Sequence, residues 1–258
     1  MYDSLFSPLK IGSLTIRNRV IMAAMGCGTA NRDGTVSERQ IAYYTQRAQG
    51  GAGLIITGVT RVDDETGAMD ANQISVSKDE TIPSIQRLVR AVHAQGAAIF
   101  LQLHHPGNQT SPRALGGQPT VGPSGIKCQL SNAPCRAMTL EEIRRLVESF
   151  AQGALRAQKA GADGVELHCA HGYLLEQFLS PYTNRRTDEY GGCMENRARI
   201  VEEIIRAIRE KVGRDYPVTM RISVDEFLET SVFPHDRPGL KLEEGVALCR
   251  YLAPFGLD

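Results

Sequence analysis

The chain has 258 residues, enough for one large domain or two small ones. Its 29 Lys and Arg balance 29 Asp and Glu, which excludes the basic field that favours nucleic acid and the polybasic tract that favours a membrane surface. No run approaches the ~18–20 apolar residues of a membrane span, and the opening MYDSLFSPLK lacks the apolar core of a signal peptide. Six cysteines (Cys27, Cys128, Cys135, Cys169, Cys193, Cys249) contain no CxxC pair, so the expectation is a cytoplasmic protein with reduced thiols that acts on small molecules.

Residues 9–18, LKIGSLTIRN, read as a hairpin turning at Gly12-Ser13. VIMAAM (20–25) is a strand, followed by a helix over 37–50 that Ser37 caps and Gly50 and Gly51 end. GLIITGV (53–59) is a second strand, and a helix over 80–95 stops at Gly96. AIFLQLHH (98–105) is a third strand. The helix over 139–161 opens on a Thr139-x-x-Glu142 capping box and repeats Ile143, Leu146, Val147 and Phe150 at helical spacing. GVELHCA (164–170) and VTMRIS (218–223) are the fourth and fifth strands, separated by a helix over 195–212 and followed by a last helix over 242–253.

Near-continuously apolar strands are buried on both faces, as parallel strands are. Five strand–helix units predict an α/β fold, wound either into a barrel or into an open doubly wound sheet. No repeat, low-complexity tract or linker divides the chain, so residues 1–258 read as a single domain. Two long connections, 106–138 and 226–241, follow the third and fifth strands, on the side where α/β folds place their sites.

Polar residues sit where the apolar strands end: Gln102 and His104, then His168 and His171, then Arg221. By alternation His168 shares a face with Glu166, which places that carboxylate in the interior beneath it. The histidine pair has three readings: metal ligands, packed structural residues, or two N–H donors converging on one substrate oxygen. No HExxH and no supporting carboxylate pattern accompanies the pair, so the expected metal is none. Donors aimed at a carbonyl that becomes an enolate would stabilise the transition state, and Tyr173, a phenol protonated at neutral pH, can deliver a proton to a developing carbanion. Arg221 either pairs with Glu166 or stands against an anionic cofactor, and the Gln102 amide suits the edge of a heterocycle such as a flavin pyrimidine ring. AGLIITG (52–58) is followed by no GxGxxG, so a Rossmann reading fails.

With these residues assembled, the sequence resembles the old yellow enzyme family of FMN-dependent ene-reductases, in the branch of 2,4-dienoyl-CoA reductase and related NADH:flavin oxidoreductases. The likeness is carried by LFSPLKIGSLTIRNRVIMAAM (5–25), LQLHHPG (101–107), DGVELHCAHGYLLEQFLSPYTNRRTDEYGGCMENRARI (163–200) and VTMRIS (218–223). The resemblance implies a TIM (β/α)8-type barrel with FMN at its C-terminal mouth and NAD(P)H as electron donor. Ala23, Ala24 and Met25 would line the flavin from strand one and Gly58 from strand two, Gln102 would bond the pyrimidine edge, and Arg221 would face N1/O2. His168 and His171 would hold the carbonyl oxygen of an α,β-unsaturated substrate, and Tyr173 would protonate Cα while flavin N5 gives hydride to Cβ. Many relatives carry proline at Ala24 and cysteine or threonine at Gly26, so this chain's flavin potential is not read from the family. The acceptor stays open between enoyl-CoA thioesters and free enoates or enones.

Such a barrel has eight strands in ~250 residues. Here about five of the eight βα units are found, and LEEGVALCRYLAPFGLD resembles the family's fifth helix. The expectation is therefore a C-terminally truncated barrel without the loops after strands seven and eight that grip the FMN phosphate. Charge-assisted bonds contribute ~1.5–3 kcal/mol each, so losing three would weaken FMN binding by about four to six orders of magnitude. Sheet edges at strands one and five would be open, inviting a complementary barrel segment or a homo-oligomer. A 4Fe-4S cluster and FAD are implied only with a longer C-terminal part. Two alternatives remain at this stage: an inactive remnant or interaction module that binds no flavin, and a metal-dependent hydrolase.

Overall fold

Each apolar run that must bury two faces becomes a parallel strand in the computed structural model, which describes residues 2–233 and 235–258. A short helix α1 (Asp3–Phe6) leads into the hairpin strands β1 (Leu9–Ile11) and β2 (Leu14–Ile16), which pair antiparallel. Their turn uses Gly12 at φ +54°, a left-handed conformation that glycine adopts without a Cβ penalty. Then come β3 (Ile21–Met22), α2 (Glu38–Gln49), β4 (Leu54–Ile56), β5 (Thr60–Arg61), α3 (Ile82–His93) and β6 (Ala98–His104). Two small strands, β7 (Thr120–Gly122) and β8 (Cys135–Ala137), precede α4 (Leu140–Lys159) and β9 (Gly164–Cys169). The chain continues through α5 (Leu174–Leu179), α6 (Met194–Val212), β10 (Val218–Ile222) and α7 (Leu242–Leu252).

The main sheet runs β10-β9-β6-β4-β3, all parallel, with β5 extending alongside the end of β6. This is part of a TIM-type wall, five of its strands being present, with the hairpin below it. Outward residues Ile55, Ile99, Leu101, Leu103, Val165, Leu167 and Cys169 pack under the helices in one large core. The inward row starts apolar. Leu54, Ile56 and Phe100 meet Ile16, Leu9, Ile11 and Leu14, so the hairpin closes the floor of the curl.

Helix boundaries follow the expected caps. The Ser37 side chain accepts from the Gln40 N–H at the start of α2, and Thr139 and Glu142 form both arms of the capping box on α4. Four features differ from the sequence reading. Strand one is only Ile21–Met22, because an edge strand has one partner and Ala23–Met25 leave the ladder. Residues 106–138 are no bare loop but contain the parallel pair β7–β8. The helix expected over 80–95 opens as a 3-10 turn, Asp79–Thr81, and α5 was not foreseen. Pro234, inside the long connection 226–241, lies outside the described residues. Among the described residues no helix is long and apolar enough to cross a membrane.

The strand crossing at Phe100 constrains the sequence tightly. A Cβ on Gly164 would sit 2.6 Å from the Phe100 ring and 2.8 Å from the Pro217 carbonyl. Gly164→Ala should therefore lower stability by about 1–3 kcal/mol, read as a reduced urea midpoint with unchanged slope. An unchanged midpoint would show that the wall relaxes there at no cost.

Candidate active site

Register turns the inward row into layers. Phe100 pairs with Gly164, Gln102 with Glu166 and then Thr219, and His168 with Arg221. Because side chains alternate across a strand, each layer shares the inner face, and polarity rises from the hairpin floor to the strand C-termini. Gln102 Nε2 donates to Glu166 Oε1 at 2.8 Å, both residues being buried. Burial raises the Glu166 pKa, opposed by that hydrogen bond and by the positive charge of Arg221. Arg221 forms no ion pair with Glu166. Its Nη1 instead donates to the Ala24 carbonyl at 3.3 Å, so of the two readings of this residue the ion pair is not the one formed.

Above this layer the aromatic groups assemble. The ring centroids of His168 and His171 lie 5.0 Å apart, His168 and Tyr173 5.0 Å, and His171 and Tyr173 6.5 Å. His104 completes the cluster, edge-on to Tyr173 at 4.5 Å. His168 Nδ1 accepts from the Ala170 N–H at 3.3 Å, so its ring proton sits on Nε2. Burial, then the charges of His171 and Arg221, lower the His168 pKa to about 3, and the ring is neutral. His171 is shifted down as well, first by desolvation and then by Arg221, and burial pushes the Tyr173 phenol up. His104 is held well below the usual imidazole range by burial, and neither of its ring nitrogens has a hydrogen-bond partner among the described residues.

A tight turn after β9 places three of these groups. His171 has φ +63° and Gly172 φ +72°, and Tyr173 stands at the start of α5. A left-handed histidine needs outside support. It comes from the Ser223 hydroxyl, which accepts the His171 N–H at 3.1 Å, and from Gln109, whose Nε2 donates to the His171 carbonyl at 2.7 Å. Glu176 Oε2 accepts the Gly172 N–H at 2.5 Å and the Ser223 hydroxyl at 3.1 Å, so one buried carboxylate joins the turn to the end of β10. Glu176, Ser223 and Gln109 thus belong to the site although the sequence reading assigned them no role, and His104, read there as a polar strand end, joins them. The signal for Glu176 was a carboxylate inside LLEQFL, a segment that is otherwise apolar but for Gln177.

The flanking positions are arranged more loosely. Gly58 is buried and its N–H bonds the Tyr44 hydroxyl at 2.8 Å, while a Cβ there would meet the Met25 carbonyl at 2.4 Å. Glycine at 58 therefore lets the segment after β4 lie against the segment after β3. Met25 itself is 59% exposed, and Ala23 and Ala24 lead to it from β3. Among the described residues no three His, Cys, Asp or Glu side chains are grouped to hold a metal ion.

A parallel wall with a polar interior row and a neutral imidazole–phenol cluster at its C-terminal rim defines a barrel-type small-molecule site. Comparison with known proteins makes the class specific. The sequence profile of the NADH:flavin oxidoreductase / NADH oxidase family matches residues 4–238, and the chain belongs to that family. It is 44% identical to the NADH oxidase of Thermoanaerobacter brockii over 99% of this chain, and 39% identical to the cinnamate reductase of Clostridium sporogenes over all of it. The chain spans 38% and 40% of those two proteins' lengths. A 2-naphthoyl-CoA reductase in complex with 2-naphthoyl-CoA superposes with TM-score 0.91 at 30% identity, covering 100% of this chain and 40% of that one. The old yellow enzyme homologue from Zymomonas mobilis gives 0.85 at 31%, covering 98% and 71%.

Glu176 makes the turn sensitive to pH. Desolvation raises its pKa from 4.5 to about 7, against the two hydrogen bonds it accepts. The native state then binds more protons than the unfolded chain between those values, so stability falls as pH rises through the window. The contribution is about 3 kcal/mol, present in full below pH ~4.5 and gone above pH ~7. Glu176→Gln should flatten the fall in Tm between pH 5 and 8; an equally steep fall in the variant would place the titration elsewhere.

Proposed function

We propose that this site reduces the C=C bond of an α,β-unsaturated carbonyl compound, an enoyl-CoA, enoate or enone, with NAD(P)H as electron source and FMN lying across the strand ends. The convergence of His168, His171 and Tyr173 on one rim carries the reading. The His168 Nε2–H is a neutral donor in a buried setting, where a hydrogen bond to developing enolate charge gains strength without a competing proton transfer. His171 supplies the second donor. Tyr173, its pKa raised, stays protonated at neutral pH and can give its proton to the α-carbon.

Several features of the mouth fit a flat anionic cofactor. Arg221 bonds only a backbone carbonyl among the described residues, which leaves guanidinium N–H groups for negative charge. Gly26 faces open space, with Val59 Cγ2 at 3.9 Å the nearest atom to a Cβ placed there, and Met25 offers an exposed apolar side chain beside it. Gln102, bonded through Nε2 to Glu166, keeps its Oε1 as an acceptor for the pyrimidine edge. When bound, FMN would supply the hydride equivalent for the β-carbon. The names cinnamate reductase and 2-naphthoyl-CoA reductase both describe conjugated acyl substrates, which supports the substrate class.

Among the described residues the outer edges of β3 and β10 are unpaired in the main sheet, and the Asp258 N–H already donates to the Val218 carbonyl at 3.0 Å, where a further parallel strand would lie beside β10. We therefore extend the proposal: further strands, from a complementary segment or another copy, pair with these edges when the holoprotein forms.

The test follows FMN binding by fluorescence quenching, then anaerobic turnover of cinnamate or 2-cyclohexenone with NADH. Tyr173→Phe and His168→Ala should each slow alkene reduction by about 10²–10³ while the NADH-driven half-reaction changes little. Equal losses in both half-reactions would remove the assigned roles. Failure of FMN to bind, alone or with a complementing segment, would overturn the flavin assignment.

A further inference from the structure

Gln102 and Glu166 stand opposite each other on β6 and β9, in the layer above Phe100, and both are buried. Their contact is direct, Gln102 Nε2 donating to Glu166 Oε1 at 2.8 Å. Thr219, the third residue of the layer, does not compete for the carboxylate, because its hydroxyl donates to the Val165 carbonyl at 3.4 Å. A carboxamide can turn over, exchanging oxygen for nitrogen with little change of shape, so a neighbour of fixed polarity decides which end points where. An ionised carboxylate accepts and cannot donate. It draws the NH2 group toward itself and sends the carbonyl oxygen the other way.

That oxygen has room. No described residue donates to Gln102 Oε1, yet the atom is not sealed off as the ring nitrogens of His104 are, so it borders open space inside the mouth. Arg221, in register with His168, is the charged side chain that acts on Glu166, while Gln102 and Phe100 on β6 and Thr219 on β10 carry no charge. Burial raises the Glu166 pKa, and the Gln102 hydrogen bond and the Arg221 charge oppose that rise, both favouring the form that can only accept.

We propose that Glu166 is a positioning residue: its carboxylate locks the Gln102 carboxamide with the oxygen toward the mouth, so that the site takes a ring edge donating an N–H there and refuses one presenting an acceptor. The inference rests on the flavin reading, since the flavin pyrimidine edge carries such an N–H between two carbonyls, and it adds the residue that makes the choice. Glu166 acts wholly through Gln102 in this role.

Two measurements on the whole chain test this. Without ligand, the Glu166 carboxyl carbon and the Gln102 side-chain NH2 signals should titrate together by NMR, with one midpoint above the ordinary glutamate value. Gln102→Met, which removes the donor, should raise the Glu166 midpoint, and Glu166→Gln should abolish the step at Gln102. The second measurement follows ligand fluorescence at pH 7 with two pteridines of opposite edge. Lumazine carries the flavin pattern, an N–H between two carbonyls, whereas 2,4-diaminopteridine has a bare nitrogen between two amino groups. The chain should bind lumazine at least about 10-fold more tightly. In Glu166→Gln the new amide can accept or donate, Gln102 turns over freely, and the preference should shrink to within about 3-fold. A variant weakened only in its fold would lose affinity for both pteridines and keep the ratio. Separate titration of the two groups, an unchanged ratio in Glu166→Gln, or binding of neither pteridine would overturn the proposal. Failure of FMN to bind beside a joint titration and the expected ratio would count against the flavin reading alone.

Discussion

The structure depends on the requirement that the central parallel strands bury both their faces, and on the unequal solutions found for the two. Outward, the row is aliphatic and the helices cover it. Inward, the hairpin covers only the lowest residues, and one layer higher a carboxylate is already buried against an amide. Burying a charge without a partner costs several kcal/mol, so Glu166 is tolerated through the Gln102 hydrogen bond and the nearby positive charge of Arg221. The polar column is thus a cost carried by the fold, concentrated where the strands open to the mouth.

Neutrality is the electrostatic theme of that mouth. His104, His168 and His171 are all shifted toward the uncharged form, with burial the largest cause for each and Arg221 adding to it for the latter two. A cluster of imidazolium groups could not pack ring against ring at 5.0–5.3 Å without strong repulsion. The Ala170 N–H fixes the tautomer of His168, and burial holds the Tyr173 phenol toward its protonated form. The same burial that makes the cluster cohere therefore sets its chemistry, and the Glu176–Ser223 contact fixes its geometry from behind.

Much of this was legible from the residues. Alternation along GVELHCA placed Glu166 beneath His168, and the strand ends marked Gln102 and Arg221, because period-2 burial leaves little freedom for a polar side chain in an apolar run. Caps at Ser37 and Thr139 were local chemistry and appear as read. What escaped depends on contacts distant in sequence. Every residue of α5 is buried, so it shows no polar face from which a helical period could be recognised. The pairing of β7 with β8 joins two ends of a Gly/Pro-rich stretch whose register only tertiary packing sets. The bond from Arg221 to the Ala24 carbonyl depends on the curvature of the sheet, which no local pattern encodes.

That last contact also says what shape the wall has. β10 and β3 are opposite ends of the sheet, four strand spacings apart, and in a flat sheet of ~4.8 Å spacing their tips would stand ~19 Å from each other. One arginine side chain cannot cross that distance. Yet Arg221, on β10, donates to the Ala24 carbonyl two residues beyond β3. The sheet must therefore curl until its two edges face each other across the mouth, as right-handed strand twist directs. The five strands on their own bring together the imidazoles, the phenol and the cationic side chain around one opening, so the geometry of the site is set by the curvature of this wall and by the hairpin that fills its floor.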